Sequence, residues 1–321
     1  MTRRSKVKEA EEPIWAFLVH LTFNQLSDRE CPEWGLEHVT ASPFMRCDSR
    51  TWNTVIRKAA EVGMNMIVID LSDGVRYESH PEIAVKRAWS VSKLRKELEK
   101  IRALGMEPVP MLNFSASHDV WLGTYSRCVS TDQYYKVCKD LIQEVIELFD
   151  KPRFLHLGMD EETAMHQAFY EYVVIRQYDL WWHDLLFLIA QVERKGVRPW
   201  VWSDRIWRDK SGFRAKMPRS VLQSNWYYGK TFSKKLKFVQ AYIDLDKAGY
   251  DQVPGASNWD GFPDNFMRTV QFCRRHIHPK RLVGFLQTVW KPMIEPCLGN
   301  YLEALEGAEK GVEYWHGRVK S

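Results

Sequence analysis

The chain has 321 residues, 45% of them hydrophobic and 27% charged, which is the composition of a folded globular protein with a large core. No apolar run is long enough to cross a membrane, and the formal net charge of +5 is spread along the chain, so neither a membrane nor a nucleic acid is expected as a partner. The six cysteines include no C-x-x-C pair, which argues against a zinc knuckle or a redox motif and predicts free thiols, although their even number leaves a disulfide-bonded form open.

The N-terminal stretch "MTRRSKVKEAEEPIW" is basic but lacks the apolar segment found in signal peptides. We therefore expect a cytoplasmic protein, or a secreted or periplasmic one if the sequence is a trimmed piece. Residues 1–13 are predicted to form an extension, and residues 14–321 a single domain.

Eight runs along the chain are apolar enough for strands that are buried on both faces. They are residues 14–21, 66–71, 108–113, 153–158, 198–203, 221–226, 252–257 and 282–289. Helical segments lie between most neighbours, and the weakest, at residues 205–215, lies between the fifth and sixth strands. A glycine stands at four of the helix-to-strand junctions, where a helix commonly ends with a left-handed residue. These glycines are Gly63, Gly105, Gly196 and Gly249.

The order of these elements predicts the architecture. Eight strand-then-helix units in about 250 residues are typical of an α/β fold in which the strands close into a TIM (β/α)8 barrel. The alternative is an open, doubly wound sheet, which needs a glycine-rich phosphate loop after its first strand. The segment in that position, "VHLTFNQLS", is not such a loop. The sequence therefore predicts a single-domain TIM barrel.

The fourth predicted strand ends in "RFLHLGMDEE", residues 153–162, where a glycine comes shortly before three consecutive acids. Adjacent carboxylates repel one another and normally lie in solvent. Active sites of TIM barrels lie at the C-terminal ends of the strands, so Asp160 and Glu161 are predicted to stand at that face. The alternative is the N-terminus of a helix beginning in "DEETAMHQA", where acids complement the helix dipole.

The ends of strands five to eight each have a tryptophan, in "VWSD", "SNWYYG", "ASNWDGF" and "QTVWKP". These residues are Trp202, Trp226, Trp259 and Trp290. Four indoles at equivalent ends of consecutive strands would wall one side of a pocket, although a tryptophan inside a barrel is also common as plain core. Flat indole faces beside carboxylates suit a sugar ring, so a carbohydrate substrate is the predicted partner.

The segment "LHLGMDE" resembles the His-x-Gly-x-Asp-Glu signature of glycoside hydrolase family 20, the β-N-acetylhexosaminidases. "IVIDLSDG" is similar to the second strand of that family, "PMLNFSASH" takes the place of its Asp-x-Pro-Gly-His loop, and "VWSD", "ASNW" and "LQTVW" are similar to its Trp-bearing strands. The resemblance implies an exo-acting glycosidase that removes terminal 2-acetamido sugars by substrate-assisted retaining hydrolysis, an exception to the two-carboxylate scheme. It implies no metal and no cofactor.

By this resemblance, Glu161 is the general acid that protonates the glycosidic oxygen, and Asp160 orients the 2-acetamido group, whose oxygen attacks the anomeric carbon. The neighbouring carboxylate is expected to raise the pKa of Glu161 and to keep its proton available near neutral pH. For His156, an ordinary buried histidine is the open alternative to a role in binding. The residues implied in substrate binding are His156, Trp202, Trp226, Tyr227, Trp259, Trp290, Asp73, Asn113, His118 and Asp204.

The chain departs from the family pattern where the sugar is recognised. No arginine follows the first strand, Asn113 stands for the aspartate of strand three, and His118 is displaced by one position. Asp260 stands where a tyrosine is expected after the strand-seven tryptophan, so that Tyr227 or Tyr228 is the candidate replacement. These departures leave the identity of the sugar open.

Three other functions stay open on the sequence. The first is a metal-dependent hydrolase, because histidine and carboxylate ligands suit zinc or manganese. Its candidate ligands are His156, Asp160, His166 and Asp204. The second is a double-displacement glycosidase with Asp70, Asp73 or Asp204 as its nucleophile. The third is a non-catalytic sugar-binding barrel that keeps the tryptophans without turnover.

Overall fold

The structure, a computed structural model, describes residues 12–32, 35 and 37–318. Most of the extension predicted at residues 1–13 lies outside the described residues, so its boundary with the domain stays a prediction. Within the part of the chain that is described, no helix is both long and apolar enough to cross a membrane.

Eight parallel strands form the sheet at the centre of the molecule. They are β1 (Ile14–His20), β2 (Met66–Asp70), β3 (Glu107–Met111), β4 (Phe154–His156), β5 (Arg198–Trp202), β6 (Leu222–Ser224), β7 (Gly255–Ser257) and β8 (Gly284–Thr288). Their order in the sheet is β6-β5-β4-β3-β2-β1-β8-β7, and bridges between residues 223 and 252 and between residues 226 and 255 join the two ends. The predicted (β/α)8 barrel is confirmed, and the open doubly wound sheet is wrong.

A helix follows each strand, which is how parallel neighbours in one sheet are connected. The helices are α1 (Ser49–Glu61), α2 (Val91–Ala103), α3 (Asp132–Leu148), α4 (Leu180–Arg194), α5 (Lys210–Lys216), α6 (Lys237–Lys247), α7 (Asn265–His276) and α8 (Leu298–Trp315). Short 3-10 turns lie in the loops that lead from a strand to its helix. These turns are Pro81–Ile83, Val120–Tyr125, Asp204–Trp207 and Glu295–Cys297.

The helix ends follow from local chemistry. Asp48 caps α1, because its side chain accepts a hydrogen bond from the Thr51 N–H at 2.7 Å. All four predicted junction glycines have a positive φ, for example 86° at Gly63 and 79° at Gly105, which confirms the predicted helix ends. Helix α5 has only seven residues, in agreement with the weak segment predicted between strands five and six.

Alternation along the strands divides the buried side chains into two cores. On β1, Ile14, Ala16 and Leu18 point into the barrel, whereas Phe17 and Val19 pack against the surrounding helices. The inner core is capped at the C-terminal end of the barrel by aromatic and polar side chains. This end is therefore where the fold places a site.

All eight strands are shorter than predicted, and three of them have half the predicted length. β4, β6 and β7 have three residues each, whereas the sequence predicts six for each. The regular strand β4 ends at His156, although backbone hydrogen bonds continue as far as the Gly158 carbonyl, which accepts the Trp202 N–H at 3.0 Å. The chain then turns away, because Gly158, Met159 and Glu161 have left-handed backbone conformations with φ of 69°, 70° and 54°. The chain leaves the sheet before the acids, which places them in a loop above the rim of the barrel.

Candidate active site

A cavity of about 430 Å³ opens at the C-terminal end of the barrel. It is lined by Asp160, Glu161 and all four of the predicted tryptophans. The fold therefore gathers the residues that the sequence distributes over five strand ends. Helix α4 begins only at Leu180, so the alternative that these acids lie at a helix N-terminus is wrong.

The loop after β4 is fixed by hydrogen bonds with neighbouring loops. The hydroxyl of Ser115 donates to the Asp160 carbonyl at 2.5 Å, and that of Ser117 donates to the Glu161 carbonyl at 2.7 Å. The Glu161 N–H donates to Oδ2 of Asp204 at 3.0 Å. These contacts hold an uncommon left-handed backbone at Glu161, and they preorganise its carboxyl group.

Asp160 is buried, and its two carboxylate oxygens have different partners. Nδ2 of Asn113 donates to Oδ1 at 2.8 Å, while Oδ2 lies 3.4 Å from Nε2 of His118. Oδ1 of Asn113 accepts the Met159 N–H at 3.1 Å, which turns the amide so that its NH₂ group faces Asp160. An aspartate at this position would repel Asp160, so the departure from the family pattern gives the carboxylate a donor instead of a second negative charge.

Glu161 lies between two histidines. Its Oε2 is 3.5 Å from Nε2 of His118, and its Oε1 is 3.4 Å from Nε2 of His166. Burial raises the pKa of this carboxyl group, but the two nearby imidazoles outweigh burial and hold the pKa well below its usual range. The expectation that the neighbouring Asp160 makes the pKa of Glu161 high is therefore wrong for this arrangement.

His118 provides the positive charge of the site. Burial disfavours its charged form, yet the carboxylates of Asp160 and Glu161 raise its pKa to about 10. An imidazolium therefore lies between the two carboxylates, with its Nε2 atom 3.4 Å from Oδ2 of Asp160 and 3.5 Å from Oε2 of Glu161. The sequence predicts His118 as a substrate contact, and the structure adds contacts with both acids.

The four ligands of the metal-hydrolase alternative do not form one cluster. The ring of His156 lies inside the barrel, 4.6 Å from the ring of Trp202, and its Nδ1 accepts a backbone N–H at 3.1 Å. Burial lowers the pKa of His156 to about 3, so the ring is neutral. Among the described residues, the acids and histidines close enough to share an ion are His118, Asp160 and Glu161. In that group, the charged histidine offsets one of the two negative charges.

Glu162, the third consecutive acid, anchors the loop. Its carboxylate accepts hydrogen bonds from Nε of Arg176 at 2.7 Å and from Nη2 at 3.0 Å. Nη1 of Arg176 donates to Asp184 at 2.9 Å, and all three side chains are buried. This ion cluster ties the loop after β4 to α4. The three acids thus divide into two that face the cavity and one that holds the loop in place.

Asp204 supports the same loop from β5. It is buried, and its Oδ1 has no hydrogen-bond partner within the described residues. Burial, followed by the negative charge of Asp160, raises the pKa of Asp204 to about 7. Its side chain is not part of the cavity lining, so it contacts Glu161 only through the backbone N–H.

Trp202 contacts two of the other three tryptophans. The ring of Trp202 lies 5.5 Å from that of Trp226 and 5.9 Å from that of Trp290. Nε1 of Trp290 donates to the hydroxyl of Tyr228 at 3.1 Å, whereas the buried Nε1 of Trp202 has no partner among the described residues. The wall therefore offers flat apolar faces together with the unpartnered N–H donor of Trp202.

The other predicted contacts lie beside this cavity. Tyr227 lines a neighbouring cavity, and Tyr228 lines this one. Asp73 is outside the lining and accepts a hydrogen bond from Nδ2 of Asn24 at 2.8 Å. Burial raises the pKa of Asp73 to about 7. Of the twelve predicted site residues, seven line the main cavity, and five do not, which are Asp73, Asn113, His156, Asp204 and Tyr227.

Sequence reasoning missed part of the lining, above all Gln25 and Leu26 in the loop after β1. Gln25 is 1% exposed, and neither atom of its side-chain amide has a hydrogen-bond partner within the described residues. Its backbone carbonyl accepts from the hydroxyl of Tyr170 at 2.6 Å, which fixes its position. A single glutamine in a loop gives no signal in the sequence, because only closure of the barrel brings it beside the acids.

No protein-family model and no curated protein matches the sequence. Solved structures do match it. A beta-N-acetylhexosaminidase from Bacteroides fragilis NCTC 9343 has a TM-score of 0.65 at 14% identity, over 93% of this chain and 65% of that chain. A chitobiase from Flavobacterium johnsoniae has a TM-score of 0.58 at 15% identity, over 83% of this chain and 49% of that chain. Dispersin B has a TM-score of 0.58 at 14% identity, over 92% of this chain and 98% of that chain.

The chain thus spans 65% and 49% of the first two proteins and nearly all of the third. Further structures of similar fold are described as family 20 glycoside hydrolases, among them a beta-N-acetylhexosaminidase from Streptomyces coelicolor A3(2) with a TM-score of 0.61. The fold expected from the "LHLGMDE" segment is confirmed. The chain has the barrel fold of the family 20 glycoside hydrolases.

Proposed function

We propose that this protein is a glycosidase that removes terminal 2-acetamido sugars from an oligosaccharide or a glycoconjugate. The observation that supports the proposal best is the pair Asp160 and Glu161, which differ in their hydrogen-bond partners and line one tryptophan-walled cavity. Proteins of similar fold include β-N-acetylhexosaminidases. Trp202 lines the cavity and also belongs to the inner core of the barrel. The end of a glycan chain that enters the cavity therefore has no path onward into the barrel, which agrees with exo action.

In this proposal, Asp160 holds the acetamido group of the substrate. Its Oδ1 is occupied by the Asn113 donor, so Oδ2, which lies 3.4 Å from Nε2 of His118 but accepts no hydrogen bond from the described residues, accepts the acetamido N–H. This hydrogen bond polarises the amide, and the carbonyl oxygen becomes a better nucleophile towards the anomeric carbon. The carboxylate then stabilises the positive charge that develops on the cyclised group. This interaction is stronger in the transition state than in the bound substrate.

Glu161 transfers a proton to the glycosidic oxygen. In the arrangement described, that proton lies on His118, because two carboxylates favour its charged form. When Asp160 accepts the acetamido N–H, its negative charge stabilises the imidazolium of His118 less than before. This favours transfer of the proton from Nε2 of His118 to Oε2 of Glu161, which lies 3.5 Å away. Glu161 then protonates the leaving oxygen, and as a carboxylate it takes a proton from the water that opens the cyclised intermediate.

The candidate protein nucleophiles are occupied elsewhere. Asp70 lies 2.8 Å from Nδ1 of His20 and accepts a hydrogen bond from Ser72 at 2.7 Å. Asp73 and Asp204 are outside the cavity lining, where Asp260 is the one further carboxylate among the described residues. A nucleophile supplied by the substrate agrees with this arrangement.

Matched aryl glycosides test the proposal. One set has a 2-acetamido group, as in N-acetylglucosamine and N-acetylgalactosamine, and the other has a hydroxyl in its place. We expect release of the aryl alcohol from the first set alone. Equal hydrolysis of both sets, or a covalent 2-fluoroglycosyl adduct on Asp70, Asp73, Asp204 or Asp260, would indicate a double-displacement glycosidase. Sugar binding without turnover in either set would indicate a non-catalytic sugar-binding barrel.

A further inference from the structure

A second cavity, of about 500 Å³, adjoins the first. The two cavities share five residues on their walls, which are Glu161, His166, Trp226, Tyr228 and Asp260. The acid of a glycosidase stands beside the scissile oxygen, with the terminal sugar on one side and the leaving group on the other. If the first cavity binds the terminal sugar, the second lies on the side of the leaving group.

Aromatic side chains line the second cavity. The ring of Trp207 lies 4.6 Å from that of Phe238 and 4.6 Å from that of Trp226. The ring of Tyr227 is nearly parallel to that of Phe238, at 6.4 Å and 13°. Tyr227, which the sequence predicts as a substrate contact, is therefore part of an aromatic surface on which further sugar rings can stack.

Two cations stand on the same walls. Arg208 and Lys237 both line the second cavity and are exposed. Neither is in an ion pair within the described residues, whereas the nearby Lys210 lies 2.6 Å from Asp244. Nζ of Lys237 is 5.1 Å from the ring centre of Phe238, so its charge lies over the aromatic surface. These two positive charges are available to a ligand.

The basic surface continues away from the acids. Phe232 joins the aromatic residues, with its ring 5.2 Å from Tyr227 and 5.6 Å from Phe272. Around Phe232 and Phe272 is a third, smaller pocket of about 160 Å³, whose described lining includes Lys230 and Arg275 and no carboxylate. Two further exposed lysines lie in the loop between β6 and α6. They are Lys234 and Lys235.

We propose that the second cavity and the third pocket bind the leaving-group side of an anionic glycan, whose sugars have carboxylate or sulfate groups. This inference rests on the proposed function for the first cavity. Asp160 lines the first cavity alone, and Glu161 and Asp260 line both cavities, whereas Arg208 and Lys237 line only the second cavity and Lys230 and Arg275 the third pocket. The charge of the lining therefore changes from negative to positive with distance from Asp160, which disfavours a negatively charged group in the first cavity and attracts one further out. A glycan with a neutral terminal sugar and an acidic neighbour matches that division of charge, and a uniformly charged nucleic acid does not.

The test uses two oligosaccharides with the same terminal 2-acetamido sugar, one with a neutral sugar next to it and one with a uronic acid. The measured quantity is the ratio of kcat/KM for the acidic substrate to that for the neutral one. We expect a ratio of about 5 to 30 at about 20 mM salt, since each exposed charge pair contributes modestly and salt screens it. The preference should largely disappear at about 500 mM salt.

Charge-reversal variants test which residues cause the preference for the acidic substrate. The double substitution Arg208→Glu and Lys237→Glu should bring the ratio to about one or below it. Lys139→Glu reverses an equally exposed charge on α3, outside the three pockets, and should keep the wild-type ratio. Because the ratio compares two substrates on one protein, it is insensitive to a general loss of folded enzyme. A wild-type ratio near one at low salt, or a ratio unchanged by the double substitution, would overturn the proposal.

A binding measurement separates this inference from the proposed function. If neither oligosaccharide is cleaved, the proposed function fails, and calorimetry of the intact acidic oligosaccharide still tests the surface. Binding that is weakened by Arg208→Glu with Lys237→Glu, and not by Lys139→Glu, supports the anionic-glycan site. Equal affinity for the neutral oligosaccharide, or tighter binding of a single-stranded oligonucleotide of equal charge, contradicts it.

Discussion

The carboxyl group of Glu161 and the imidazoles of His118 and His166 form a unit in which the location of one proton decides the chemistry. The Nε2 atom of each ring lies within 3.5 Å of a Glu161 oxygen. A proton on His118 leaves Glu161 as a carboxylate, which suits the base of the second step. The same proton on Glu161 provides the acid of the first step. Replacing any of the three residues therefore changes both steps.

Glu161→Gln removes the acid and keeps the size of the side chain. We expect kcat/KM for natural glycosides to fall by about 10²–10⁴-fold, the range for losing a general acid. Aryl glycosides with a good leaving group should lose less, because their departing oxygen needs little protonation. Steady-state kinetics on the two substrate types checks this. Equal losses for both types would show that Glu161 is not the acid.

Asp204 makes stability depend on pH. Its pKa is raised to about 7 in the folded protein, against about 3.9 in an unfolded chain. Between these values the folded state holds a proton that the unfolded state has lost, so this residue lowers stability as pH rises through that range. Asp204→Asn removes the titration and keeps an acceptor for the Glu161 N–H. We expect the Tm of the variant, relative to wild type, to rise from about pH 5 to about pH 8 by calorimetry. A difference that is independent of pH contradicts this assignment.

Gln25 presents a donor and an acceptor that have no partner in the described structure, at the wall of the cavity. We expect the amide to bind two neighbouring sugar hydroxyls, so Gln25→Leu should lower kcat/KM by about 10- to 100-fold. For a deoxy substrate that lacks one of those hydroxyls, the same substitution should lower kcat/KM by a smaller factor. Gln223→Leu is the control, because Gln223 is also buried with an unpartnered amide oxygen but lies outside the cavity. Equal losses on the full and deoxy substrates would show that Gln25 does not contact these hydroxyls.

At the scale of the elements, the sequence predicts which strands exist better than where they end. Hydrophobic runs mark every strand, because both faces of the sheet are buried. The ends depend on contacts from distant loops, such as the hydrogen bond from Ser115 to the Asp160 carbonyl, which no local pattern contains. The prediction for β4 therefore runs to residue 158, while the regular strand ends at His156.

Gly158 is the point where β4 turns into the site loop. Its φ is 69°, and a Cβ atom there would lie 2.0 Å from Oδ1 of Asn113. Gly158→Ala should therefore displace Asn113 from Asp160, with losses of both stability and activity. Gly105→Ala is the matched control, since its φ is 79° but no atom lies within 4 Å of the added Cβ. We expect Gly105→Ala to lower the free energy of unfolding by about 1 kcal/mol or more, because of backbone strain, and to leave kcat unchanged. Denaturation and kinetics on both variants check this, and equal effects on kcat would contradict the clash.

At the scale of the whole molecule, closure of the barrel explains which site residues the sequence reveals. The four tryptophans are predictable because each follows a strand, and the C-terminal ends of parallel strands meet at one rim. Gln25 belongs to a loop with no periodic pattern, so its place follows only from the closed fold. The pKa of Glu161 shows the same limit. The sequence places Asp160 beside Glu161 and therefore suggests a raised pKa. The pKa is lowered instead, because His118, from the loop after β3, and His166 lie beside the carboxyl group in the folded chain.

Ligand binding at the rim should stabilise the entire barrel, because a ligand that binds only the folded state adds about 2.7 kcal/mol at a concentration 100 times its Kd. A thiazoline that mimics the cyclised intermediate should raise the Tm far more than the product sugar does at equal concentration, as transition-state analogues bind more tightly. Asp160→Asn should remove most of the thiazoline shift and less of the product shift, because the carboxylate interacts with the positive charge of the cyclised group. Asp132→Asn, at an exposed position on α3, should change neither. Equal shifts for both ligands in the wild-type protein would indicate a barrel that binds sugars without stabilising the intermediate.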